Sequence, residues 1–270
     1  MQYQYKMLLE LSMSFLAGLA TTLGALVVLC FDKSGPSPAQ MSFALALAAG
    51  VMITVSVVEM WVPPLLEGTH LGRTAFWSLA GCSAFWVVSK LVGSDPVPGG
   101  SLLPTASSAA STAERVEQDR ARNARLGLLM MVTLTAHNFP EGLAVAVSAL
   151  SSQRLGAVVM LAIAIHNIPE GIAIAVPVYA ASGSARRAFL MAFLSGLSEP
   201  LGAFVALVFL GDSVSKGAVE GLLCFVAGVM TAVAVLELLP EAFRYGRPKA
   251  MVAGFAAGVA IMLGSIAVMP

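Results

Sequence analysis

The sequence predicts an all-α integral membrane protein with eight transmembrane helices. Three observations predict it. The 270-residue chain is 58% hydrophobic and only 11% charged, whereas a soluble domain carries about 25% charged residues. Several apolar runs reach about 20 residues, the length that crosses the hydrocarbon core of a bilayer. Two pairs of segments recur at one constant offset, so the helices fall into related groups. The rival class, a very apolar soluble helical protein, does not need runs of that length. Lys and Arg number 15, and so do Asp and Glu. Net charge therefore gives no footprint for nucleic acid.

The first span, about 7–30, is the one stretch that could be a signal peptide. Its length, and Glu10 near its start, favour an uncleaved helix. Further spans follow at roughly 41–62, 72–93, 126–150, 154–180, 187–211, 216–240 and 249–269, with short connections. The exception is 94–125, which opens SDPVPGGSLLPTASSAAST and continues ERVEQDRARNAR. Its Ser/Pro/Gly-rich half reads as a flexible linker. Its mixed-charge half is expected to lead helically into the fourth span. Cys30, Cys82 and Cys224 are odd in number and sit in apolar runs, which suits small buried residues better than disulfides.

Orientation follows from the basic residues. The side holding the connections after spans one, three, five and seven takes 11 of the 15 Lys and Arg, from Lys33 to Lys249; Lys6, Arg73, Arg154 and Lys216 lie on the other side. The positive-inside rule puts the richer side, with the 94–125 linker, in the cytoplasm. Both termini then face outside or a lumen.

The repeats refine this picture. GLATTLGAL (18–26) matches GLSEPLGAF (196–204), and AGVMITVSVVEM (49–60) matches AGVMTAVAVLEL (227–238), both at an offset of 178. Spans 1–3 and 6–8 thus read as two copies of one unit. They are separated by an odd number of crossings, so they are inverted relative to each other. This 3+2+3 arrangement with inverted repeats around a central helix pair is the architecture of alternating-access transporters. Gly/Ala composition alone would match less well, because both copies keep a Met and a Glu seven residues apart: Met52 and Glu59, Met230 and Glu237.

The central pair carries the chemistry. HNFPEG occupies 137–142 and HNIPEG occupies 166–171. His and Glu four residues apart share a helix face, so His137 points with Glu141 and His166 with Glu170. Asn138 and Asn167 flank the same site. Pro140 and Pro169 each remove an N–H and free the carbonyls of Ala136 and Ile165. Glu199 lies midway along the sixth span and Met52 midway along the second. An ionised residue at mid-bilayer costs about 2.5–3.5 kcal/mol, so Glu141, Glu170 and Glu199 unpaired would cost on the order of 8–10 kcal/mol. No Lys or Arg stands at that depth. The countercharge is then protons, metal ions or both. Imidazole, carboxylate and amide oxygen suit Zn²⁺, Fe²⁺, Mn²⁺ or Co²⁺.

For the remaining candidates both a bland and a functional reading stand. Met52 reads as core packing or as a ligand. Glu59 and Glu237 read as interfacial carboxylates or as pathway mouths. His70 reads as a surface histidine or a capture ligand, and Ser198 as a helix-carbonyl partner.

HNFPEG and HNIPEG, together with the stretches from AGVMITVSVVEM through HNIPEGIAIAVPVYAASGS to GLSEP, resemble the paired signatures of the ZIP (Zrt-/Irt-like) divalent metal transporter family, closest to its ZupT/GufA-like branch. The resemblance covers nearly the whole chain. It implies the eight-helix 3+2+3 fold and a binuclear metal centre. The ligands would be His137, Asn138, Glu141, His166, Asn167, Glu170, Glu199 and Met52. No His lies in 94–125, which departs from the His-rich loop of many members. The implied function is import of zinc, or of iron, manganese, cobalt or cadmium, as substrate rather than cofactor. Metal would pass Glu59, the midplane site and then Glu237. The expected host is a plasma or inner membrane, or an organelle membrane. The lipid bilayer is its partner, and small-residue helix faces permit a homodimer. The alternative is an intramembrane zinc-dependent hydrolase, since zinc held by His and carboxylate also activates water. Such sites normally use three protein ligands and an open position, fewer than the paired set here. A scaffold without a site would leave the midplane carboxylates unexplained.

Overall fold

The computed structural model describes residues 2–32, 35–66, 71–92, 112–210 and 216–268. Among them every regular element is helical. Helix α1 (Gln2–Gly24) tightens into a 3₁₀ turn, Ala25–Cys30. Helix α2 (Pro38–Val55) continues through a π-helical segment, Ser56–Trp61, into α3 (Val62–Leu66). Then come α4 (Leu71–Leu91), α5 (Thr112–Ser151) and α6 (Gln153–Ser182). Helices α7 (Ala185–Gly196) and α8 (Ser198–Val205) run into a second π segment, Ala206–Leu210. Helix α9 (Lys216–Val233) leads through a third, Ala234–Leu238, to α10 (Leu239–Arg244), and α11 (Pro248–Val268) closes the chain.

Local chemistry sets the boundaries. Ser37 and Gln40 form a reciprocal capping box ahead of Pro38 at the start of α2, satisfying two orphan donors at once. Ser152 and Ser184 accept from Leu155 and Arg187 amides to open α6 and α7. Gly183, with φ of 64°, ends α6 in the left-handed conformation that a Cβ would strain. Helix α6 runs unbroken through Pro169 and Pro177, and α5 through Pro140. The sixth expected span instead breaks at Leu197. Pro200 has no N–H for the Gly196 carbonyl, and Ser198 Oγ donates to the Ser195 carbonyl at 2.7 Å.

Among the described residues, six helical stretches are long and apolar enough to cross a membrane: Met7–Cys30, Pro38–Leu66, Gln153–Ser182, Ala185–Phe209, Glu220–Arg244 and Pro248–Ala267. Helices α4 and α5, expected as the third and fourth spans, are present but more polar. Arg73 and Lys90 sit near the ends of α4. Helix α5 begins with a charged third and carries His137, Asn138 and Glu141 farther along. The mixed-charge half of the expected linker is helical from Thr112. Its Ser/Pro/Gly-rich half and His70 lie outside the described residues.

Helix α2 is the most enclosed, α11 the least. The main core joins α2, α5, α6 and α9 through Leu45, Met52, Met130, Ile174 and Met230, all fully buried. Phe76, Leu79 and Trp86 on α4 and Val252 on α11 are exposed, as suits helices bathed by hydrocarbon. The closest pairings are α5 with α6, α2 with α11, α4 with α9, α1 with α6 and α5 with α8. Exchanging the first repeat with the second, and α5 with α6, maps these pairings onto one another. Two of the π segments obey the same rule: Ser56–Trp61 and Ala234–Leu238 overlap at the 178 offset, whereas Ala206–Leu210 aligns with the 3₁₀ end of the first span. The repeat therefore extends to backbone irregularities that no hydropathy pattern encodes.

Candidate metal centre

Helices α5 and α6 bring their motifs face to face. His137, Asn138, Glu141, His166, Asn167, Glu170 and Glu199 are each at most 2% exposed. The pairing crosses between the helices. His137 Nε2 stands 3.1 Å from Glu170 Oε1 and 3.2 Å from Glu141 Oε1. His166 Nε2 stands 2.9 Å from the same Glu141 oxygen. Glu141 thus sits between two imidazoles. His137, Glu141 and Glu170 offer ligand atoms that all lie within 4.8 Å of one another.

The asparagines bind the centre to its surroundings. Asn167 Nδ2 donates to the Ala17 carbonyl at 3.0 Å and to Glu199. Oriented with its amide nitrogen inward, Asn138 donates to Glu170 Oε2 at 3.2 Å and to the Leu134 carbonyl at 2.8 Å. Five ligand-capable atoms remain without a hydrogen-bond partner: His137 Nδ1, His166 Nδ1, Glu141 Oε2, Glu199 Oε2 and Asn167 Oδ1. Buried orphans at this density call for an ion or water.

The spacing fits a small divalent cation. Ligands about 2.0–2.1 Å from a tetrahedral ion stand about 3.3 Å apart. The His137–Glu141 and His137–Glu170 separations of 3.2 and 3.1 Å are nearly that edge length. An ion could replace the imidazole proton with little movement.

Of the other expected residues, Met52 is fully buried in the apolar core, and its carbonyl accepts from Ser56 Oγ at 2.8 Å. Glu59 is half-buried on the first π segment. Glu237 is engaged: Arg125 Nη1 and Nη2 reach its two oxygens at 3.1 and 3.3 Å. At the end of α10, Tyr245 donates to Asn123 Oδ1 at 3.0 Å, and burial pushes its phenol up. Arg122 adds a 3.8 Å contact to Glu241. This ionic seam was missed by sequence reasoning, because only the fold brings 122–125 to 237–245. Two cysteines follow expectation: Cys224 is buried and Cys82 partly so, their thiols facing the Met60 and Gly228 carbonyls. Cys30 does not; it is exposed at the end of the 3₁₀ turn.

The ZIP zinc transporter family matches residues 97–268. The zinc transporter ZupT of Chlorobium phaeovibrioides is 41% identical over 265 residues, covering 95% of this chain and 96% of that protein. The zinc transporter ZupT of Streptococcus mutans is 35% identical over 93% of this chain and 94% of its own. That of Lysinibacillus sphaericus is 37% identical over 96% and 97%. These relatives are named as transporters, not as enzymes. With a multi-pass helical structure and a buried His–Glu centre, the chain belongs to the ZIP zinc transporter family.

Proposed function

We propose that this protein moves divalent transition metal ions, zinc first, across a membrane towards the cytoplasm. The observation that carries the reading is Glu141, buried and held between His137 and His166, with those imidazoles as its ion-pair partners among the described residues. Two ions bridged by Glu141 and Glu170 would bring four positive charges to three carboxylates. His137, Asn138 and Glu141 from α5, His166, Asn167 and Glu170 from α6, Glu199 from α8 and Met52 from α2 form the ligand set. Glu59 marks the outer mouth. Glu237 marks the cytoplasmic mouth, where Arg125 holds it.

In this reading α4 and α5 complete eight spans in the 3+2+3 order. Both termini are external, 94–125 is cytoplasmic, and the host is a plasma or inner membrane. Exchange of the two repeats about the centre supports alternating access, in which the ligand-bearing helices rock against the rest. Metal binds deprotonated ligands, so acid on the receiving side assists release. The hydrolase alternative finds no support among the relatives.

The test is flux into proteoliposomes loaded with a fluorescent chelator, offering Zn²⁺, Fe²⁺, Mn²⁺, Co²⁺ and Cd²⁺ outside. Saturable flux, abolished by Glu170→Ala, is expected. No flux for any ion from folded, inserted protein would overturn the proposal.

A further inference from the structure

The close contacts around the centre repeat with an exchange of partners. Gly18 on α1 lies against the Gly196 carbonyl, and Gly196 lies against the Gly18 carbonyl. Gly24 lies against the Ile168 carbonyl, and Gly202 against that of Phe139. Gly171, which follows Glu170, lies against the Thr21 carbonyl; Gly142, which follows Glu141, lies against that of Glu199. Each relation becomes its mate when 178 is applied to the outer helices and 29 to the central pair.

Under that exchange Thr21 is the counterpart of Glu199. A Cβ on Gly18 would stand 3.5 Å from the Glu199 Cβ, and one on Gly196 would stand 3.4 Å from the Thr21 Cβ. Both residues are fully buried. Their chemistry differs. Glu199 accepts from Asn167, whereas Thr21 Oγ1 has no hydrogen-bond partner. Asn138, the counterpart of Asn167, donates instead to Glu170 and Leu134. The first repeat therefore keeps, at position 21, the frame that holds a carboxylate in the second, and lacks the carboxylate.

We infer that Thr21 is an affinity-determining residue: it withholds a fourth carboxylate from the metal layer, so that bound cation can leave. The inference rests on the metal-transport reading above. Two divalent ions among three carboxylates retain one uncompensated positive charge, which favours departure. A fourth carboxylate at position 21 would neutralise it. In a buried site, where the effective dielectric is well below that of water, that charge tightens binding and slows release.

The experiment compares Thr21→Glu with the uncharged Thr21→Gln and the shape-conserving Thr21→Val. Zinc affinity of the purified protein is measured by competition with a chelating dye. Uptake into proteoliposomes separates KM from maximal rate. Thr21→Glu is expected to bind Zn²⁺ about tenfold or more tightly, with lower KM and lower maximal rate. Thr21→Gln and Thr21→Val stay within about threefold of the parent affinity. Combining Thr21→Glu with Glu199→Thr returns the charge count to three and is expected to recover release.

Unchanged affinity in a folded Thr21→Glu protein would overturn the inference, as would an equal gain in Thr21→Gln. So would failure of both Thr21→Glu and Thr21→Asp to fold while Thr21→Gln folds, because the frame would then not accept a charge. A parent protein that neither binds nor moves Zn²⁺ would sink the transport reading itself. Normal parent transport with an indifferent position 21 would sink only this inference.

Discussion

Glu141 and Glu170 occupy equivalent places in their motifs, yet the structure makes them unequal. One Glu141 oxygen stands 3.2 Å from His137 Nε2 and 2.9 Å from His166 Nε2, whereas of the two imidazoles Glu170 pairs with His137, at 3.1 Å. Replacing Glu141 with Gln keeps the shape and removes one negative charge shared by both halves of the centre. Opposite unit charges about 4 Å apart at an effective dielectric of about 20 attract by about 4 kcal/mol. Loss of that attraction corresponds to roughly a thousandfold in Kd. Because Glu141 faces both imidazoles, Glu141→Gln is expected to weaken both ions and leave no tight stoichiometric binding. Glu170→Gln, at the other bridging carboxylate but facing one imidazole, is expected to cost less affinity than Glu141→Gln. Equilibrium dialysis of purified protein against Zn²⁺, with metal counted by mass spectrometry, reads both affinity and stoichiometry. Equal losses in the two variants, or two tightly held ions in Glu141→Gln, would refute the shared-carboxylate argument.

Three further outcomes follow from the geometry. A double-mutant cycle on Arg125 and Glu237, with side chains 16% and 18% exposed, should give a coupling of about 1–2 kcal/mol in denaturant unfolding. The same cycle on Arg73 and Glu220, whose arginine is 43% exposed, should give less than about 1 kcal/mol. Coupling of the same size in both would show that burial does not strengthen the inner pair. Gly142→Ala and Gly171→Ala place a Cβ against neighbouring backbone, while Gly264→Ala meets nothing within 4 Å. The first two should lower thermal stability and metal binding, and the third should change neither. Zinc affinity should fall between pH 8 and pH 5, the range in which histidine ordinarily takes up a proton; constant affinity across it would exclude the imidazoles as ligands.

Much of the centre was legible because its information is local. His and Glu four apart declare a shared face, and the copy 29 residues on declares a partner. Glu199 was legible through its depth in the sixth span, and GLSEP added to the family resemblance. The crossed pairing, His137 with Glu170 and His166 with Glu141, was not legible, since it depends on how α5 rolls against α6. Nor was the Asn167 contact to the Ala17 carbonyl, which joins residues 150 apart. Backbone carbonyls leave no trace in side-chain patterns. The π segments stayed hidden for a related reason: one extra residue in a turn hardly disturbs a uniformly apolar run. Thr21 was readable in principle from the aligned repeats, but only the glycine contacts give that alignment a spatial meaning.

Those contacts also explain why the motif ends in Pro-Glu-Gly. A histidine and a carboxylate on one helix face need only the spacing of four. The glycine after each glutamate serves another face: Gly142 admits the Glu199 backbone and Gly171 admits the Thr21 backbone. A side chain there would push α8 or α1 outward and withdraw Glu199 from Asn167. Small residues let helices approach closely where lipid gives no hydrophobic drive to pack them. In span six the serine and proline of GLSEP break the helix beside Gly196, the residue that meets Gly18. The six-residue motif is thus two instructions in one. It sets a histidine and a carboxylate on one face, and it seats a neighbouring helix, α8 with Glu199 in one copy and α1 with Thr21 in the other. The proposed ligand set and the packing around it cannot vary independently, which is why a change at the glycines should register in metal binding as well as in stability.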